Sequence, residues 1–226
     1  MPESSAIAAS GPQTAKAISV PVFALSAFAW MAVLITIWMY VNPWTSYPAG
    51  AIAGVALEVG APTWIREARM IGPADASEDV AFGHLEVSTR IDVPVPGSGG
   101  QRAEMILDGD PSRYAYGLPI FLSLLLAARQ RKMLGKAIAG YLVLLPFQAF
   151  TLAFFILLQI LVSTNIDAAK LRLSAWQIEG IVYGFQFGTL VVPTLLPILI
   201  WLWLDRRFFV EVIAKSIAGP KRKRMA

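Results

Sequence analysis

The sequence predicts a mainly α-helical membrane protein with four transmembrane helices, both termini cytoplasmic, and a small external α+β insertion carrying a β-hairpin between helices one and two. Three observations predict it. The 226 residues are 56% hydrophobic and only 15% charged, where a soluble domain carries about a quarter charged residues. Uncharged stretches of about 20 residues recur, the length that crosses a hydrocarbon core. One segment between them alternates apolar and polar residues, which is the pattern of a half-buried strand.

The first stretch is set by an absence of charge from Lys16 to Glu58. Residues 1–17 form a leader and 18–41 the first span. Trp38, Tyr40 and Trp44 mark its outer end, since amphipathic aromatics favour the interface. The span is too long for a secretory h-region and ends in aromatics and Pro43 rather than a small-residue cleavage site, so it reads as an uncleaved anchor. Residues 42–110 are external. Within them Pro48–Val59 reads as a helix at the outer interface or dipping inward. Its Gly50 and Gly54, four apart, suit either a connector or a dimerisation face.

Beyond Pro62 the period changes. Leu85, Val87, Thr89, Ile91 and Val93 alternate with Glu86, Ser88, Arg90 and Asp92, Gly97–Gly100 makes a loose turn, and Ala103, Met105 and Leu107 return on one face. This is a hairpin by pattern. A lone hairpin is marginal in water, so it must pack on Trp64–Ile71, the membrane-facing helix or a partner. An open strand edge could accept a partner's strand; the polar Glu86, Arg90 and Asp92 are expected to blunt it.

The second span is 111–133. Asp110 followed by Pro111 is a helix start, an N-cap carboxylate before proline at the first position. The third span is 137–162, then an external loop 163–180 with Trp176 as an interfacial anchor, then the fourth span 181–204. Pro146, Pro193 and Pro197 are expected to bend their helices. Residues 205–226 form a basic tail. Its Phe208, Phe209, Val212, Ile213 and Ile217 can lie on lipid while Lys221–Arg224 meets anionic headgroups. Dividing the charges by side gives +9 on the face of the termini and −5 on the other. By the positive-inside rule the termini are cytoplasmic, in an inner membrane.

No catalytic constellation emerges. Cysteine is absent, which excludes thiol nucleophiles, thiolate metal sites and disulfides. There is no H-E-x-x-H and no G-x-S-x-G, and no Asp or Glu lies inside a span. The lone His84 reads as a turn residue. Asp75, Glu78 and Asp79 lack the spacing of a calcium loop. No cofactor and no metal is expected, and a nucleic-acid partner is not expected. The spans hold glutamines instead. Gln148 and Gln159 are eleven residues apart, so they share one helix face. Gln159 and Gln186 sit near the outer ends of spans three and four and are expected to meet. Gly180, Gly184 and Gly188 recur every four residues and clear a stripe for close helix approach. These six residues are the candidates for helix packing or partner contact.

Several stretches carry a resemblance: Tyr114-Ala-Tyr-Gly-Leu-Pro119, Leu145-Pro-Phe-Gln-Ala149, Tyr183-Gly-Phe-Gln-Phe-Gly-Thr189, Pro193-Thr-Leu-Leu-Pro197 and Leu204-Asp-Arg-Arg-Phe208. In order and spacing they resemble the exosortase H-associated membrane proteins, over roughly Pro43 to Phe209. The resemblance implies a bacterial inner-membrane accessory to a membrane transpeptidase that processes proteins with a C-terminal sorting signal. Such transpeptidases depend on a cysteine nucleophile, so this cysteine-free chain is not expected to be the enzyme. Its expected partners are the bilayer and an exosortase-type transpeptidase or its client. A small permease or channel subunit, or an envelope assembly chaperone, are the alternatives.

Overall fold

The computed structural model describes residues 20–77, 81–94, 102–129, 132–164 and 173–206. The chain is mainly helical, with a three-stranded antiparallel sheet inserted after the first helix. The leader, the Gly97–Gly100 turn, residues 165–172 of the 163–180 loop and the tail beyond Arg206 lie outside the described residues.

Helix α1 spans Val20–Gly60, 41 residues without a break, about 60 Å at 1.5 Å per residue. The sequence reading ended a span at Val41 and placed a separate helix at Pro48–Val59; the structure runs them together through Pro43 and Pro48. Proline leaves the carbonyl four residues before it without its donor. Asn42 Nδ2 supplies one to Met39 O at 3.4 Å, which is the carbonyl Pro43 deprives. A second helix braces the same region, with the Tyr141 hydroxyl donating to Thr45 O at 2.8 Å.

The C-terminal part of α1 carries the sheet. Strands β1 (Ile65–Met70), β2 (Leu85–Pro94) and β3 (Arg102–Gly109) pair in that order. The alternation is obeyed: Leu85, Val87, Thr89, Met105 and Leu107 are buried. Leu85, Val87, Met105 and Leu107 join Ala53 and Leu57 of α1 in one core. Gly50 lies under Met70 and Gly54 under Leu85 and Ala68, so this pair of glycines is taken up by the sheet rather than left as a dimerisation face. Strand β1 is the partner the hairpin required. It also makes β2 central along Leu85–Thr89, so Glu86 does not guard an edge there. The β1 edge is closed differently, by Glu58 Oε1 accepting the Ala68 N–H at 2.8 Å.

The expected continuous helix 111–133 does not form. Asp110 caps a single 3-10 turn over Pro111–Tyr114, accepting the Ser112 N–H at 2.9 Å. Helix α2 then spans only Gly117–Ala127. Pro119 explains the restart, because its missing N–H is harmless only in a first turn. At the other end Arg129 and Lys132 adopt left-handed conformations, with φ of 47° and 61°, which ends α2 and opens helix α3 (Met133–Ser163). Helices α4 (Ala175–Leu190) and α5 (Leu195–Leu204) follow, bent by 63° at their junction. Pro193 sits in that junction. By length and composition α1 and α3 can each cross a membrane, and α4 with α5 makes a third crossing if the bent pair is one span. Helix α2, with 11 residues, is short of a crossing on its own.

Two cores result. One joins the sheet, α1 and the C-terminal half of α3; the other joins Phe23, α2, Leu144, Ile200 and Trp201. Phe23 stacks on Trp201 at 5.5 Å.

Candidate functional site

The six sequence candidates lie on α3 and α4. A Cβ added at Gly184 would run into the Phe154 ring, and one added at Gly188 would lie 2.7 Å from Thr151 Oγ1. Those two glycines let the helices approach, as small residues do in membranes. Gly180 meets nothing within 4 Å and faces open space.

This register explains why the expected glutamine pair does not form. The helices run antiparallel, with Gly184 opposite Phe154 and Gly188 opposite Thr151. Gln159 is therefore level with about residue 180, and Gln186 lies about two turns, or ~10 Å, away along α4. Gln159 instead turns to the sheet, its Nε2 donating to Asp108 O at 3.5 Å. Gln186 is exposed. Gln148 is buried at 2% exposure, and its Oε1 has no donor.

The α4–α5 break determines the polar chemistry beside these residues. Pro193 has no N–H to give, and the α-helical bonds from residues 192 and 194 are not made, so the carbonyls of Gly188, Thr189 and Leu190 lose their usual donors. Thr151 Oγ1, 3.0 Å from Phe147 O, also reaches Gly188 O at 3.2 Å. The Thr194 hydroxyl donates to Leu190 O. Hydroxyls thus replace backbone donors where no water is at hand.

Long-range polar side-chain pairs escaped the sequence reading. Lys136 Nζ lies 3.3 Å from Asp205 Oδ1, with the aspartate side chain 2% exposed. His84 Nδ1 lies 2.8 Å from Asp108 Oδ2, so the histidine ties the start of β2 to β3, while its backbone N–H closes the expected turn on Ala81 O at 3.3 Å. Both pairs join residues far apart in sequence, and no local spacing reports them. Thr151 was also missed. A hydroxyl in an apolar helix is a usable signal, but only once the facing break is known. Asp75 joins no metal-binding group among the described residues; Glu78 and Asp79 lie outside them.

Nothing in this arrangement assembles a nucleophile with a base. What it offers is a tightly packed helix pair tied to the three-stranded sheet through Gln159. A family model described as exosortase H-associated membrane protein matches residues 17–208. The chain belongs to that family. The exosortase H-associated family is a membrane-protein family by its description, in keeping with the apolar helices α1 and α3. No curated protein and no solved structure matches the chain.

Proposed function

We propose that this exosortase H-associated protein is a non-enzymatic inner-membrane accessory of an exosortase-type sorting system, acting by binding the transpeptidase or its client. The observation that carries the reading is the family match across residues 17–208. The absence of cysteine from the sequence supports a role beside the enzyme rather than as the enzyme.

The proposed topology has four passes, with both ends cytoplasmic and the sheet external. The charge split of +9 against −5 supports it. The 3-10 turn with α2 makes the second pass and α4 with α5 the fourth. Contact is assigned to the α3–α4 pair, where Gln186 is exposed. A polar group in lipid gains about 0.6–2 kcal/mol from an interhelical partner.

The test is chemical crosslinking in native membranes, then affinity purification of the full chain. Specific recovery of a cysteine-dependent membrane transpeptidase, reduced by Gln186→Leu, is the expected result. Recovery of the protein alone would sink the reading and turn attention to flux assays in liposomes.

A further inference from the structure

One cavity in the fold is not used by the reading above. It lies between α1, α3 and α4 and has a volume of about 630 Å³, within the range of small-ligand sites. Small residues from all three helices leave it open: Ala56 and Gly60 on α1, Ala149 and Ala153 on α3, Gly180 on α4. At Gly60 and at Gly180 an added Cβ would meet nothing within 4 Å, so the space continues past both.

The cleft runs along α3 from Pro146 to Leu157, about 16 Å of helix. Ala149, Ala153, Phe154 and Leu157 line it there, an apolar wall suited to extended hydrocarbon.

The ends differ in chemistry. The Pro146 end is apolar. The other end carries Trp64, Trp176 and Gln177, groups suited to a membrane–water boundary. Beside it stands a cation. The Arg90 backbone N–H donates to Trp64 O at 2.7 Å, and its Nε donates to Ile65 O at 3.3 Å. The guanidinium is thereby held next to Trp64. Its two terminal nitrogens make no hydrogen bond among the described residues, and the residue is exposed. A fixed guanidinium of this kind is a phosphate binder.

We propose that the cleft between α1, α3 and α4 binds one anionic phospholipid, its hydrocarbon in the cleft and its phosphate on Arg90. The site is independent of which protein partner the chain recruits, so the two readings fail separately.

The full chain, purified in mild detergent and washed extensively, is examined by native mass spectrometry with and without added phosphatidylglycerol or phosphatidylcholine. One phospholipid per chain is expected on the unaltered protein, with phosphatidylglycerol preferred. Gly180→Phe fills the cleft and lowers occupancy at least tenfold, whereas Gly180→Ala does not. Arg90→Gln removes the preference for phosphatidylglycerol at least fivefold. If Gly180→Phe fails to melt cooperatively, Gly60→Leu fills the same space from α1. A lipid-free protein, a graded series of lipids without a defined stoichiometry, or full occupancy in a folded filling variant overturns the proposal. An unchanged headgroup preference in Arg90→Gln overturns the phosphate contact.

Discussion

Lys136 and Asp205 form an ion pair in which both charges sit at the wrong end of their helix. Lys136 lies in the first turn of α3 and Asp205 is the C-cap of α5, 3.3 Å apart. Helix N-termini favour anions and C-termini favour cations, by about 0.3–1 kcal/mol each. Each residue is therefore placed for the other, against its own helix. The pair joins the start of α3 to the end of α5, and the nearly full burial of Asp205 makes loss of one partner costly.

The first prediction follows from that sign. Lys136→Ala or Asp205→Ala should each destabilise by about 3 kcal/mol, the range for a broken buried pair. The swap Lys136→Asp with Asp205→Lys restores the pair and aligns both charges with the dipoles. It should match or exceed the original stability by up to about 1 kcal/mol. Thermal unfolding in detergent measures all three. A swapped protein as unstable as the singles would show that the surroundings, not the dipoles, set the arrangement.

The second concerns the helix break. Thr151→Val keeps the shape of the side chain and removes the hydroxyl that reaches Gly188 O. A loss of about 0.6–2 kcal/mol is expected. Gly188→Ala would push a methyl to 3.0 Å from the Thr151 Cα, an overpacking cost of about 1–3 kcal/mol. Gly180→Ala, with open space around it, should be neutral or stabilising. Equal effects at Gly180 and Gly188 in a denaturant titration would contradict the register.

These helices show what could be read in advance. The α3 span, the hairpin faces and the bend near Pro193 follow from apolar periodicity and from the missing proline N–H, and all are visible in sequence. The two glycines at contact could be recognised by spacing, but their partners Phe154 and Thr151 could not. The relative axial shift of two helices is decided by tertiary packing, and a shift of two turns separates Gln159 from Gln186. Continuity of α1 was hidden for a similar reason. Prolines argue for a break until Asn42 and Tyr141 are seen supporting the same stretch.

A third prediction tests the sheet edge. Glu58→Ala removes the acceptor for the Ala68 N–H and should cost about 1 kcal/mol. It should also expose β1 to pairing between molecules, seen as concentration-dependent association in sedimentation. Glu58→Gln retains an oxygen acceptor and should stay monodisperse. If both variants behave alike, the charge rather than the hydrogen bond guards the edge.

The fourth concerns orientation. The chain has no cysteine, so single cysteines report without background. Ser98→Cys should react with an impermeant thiol reagent from outside intact cells, and Arg206→Cys only after the membrane is opened. The reverse pattern would invert the proposed topology.

In the proposed topology α1 passes from its inner end to the sheet as one 41-residue helix, and no joint separates the bilayer from the external domain. Transmembrane helices meet a change in bilayer thickness by tilting. On a lever about 60 Å long, a 10° tilt carries the far end sideways by about 10 Å. Where the sheet stands above the lipid is thus governed by the membrane itself: a thicker bilayer holds it upright and a thinner one lays it over.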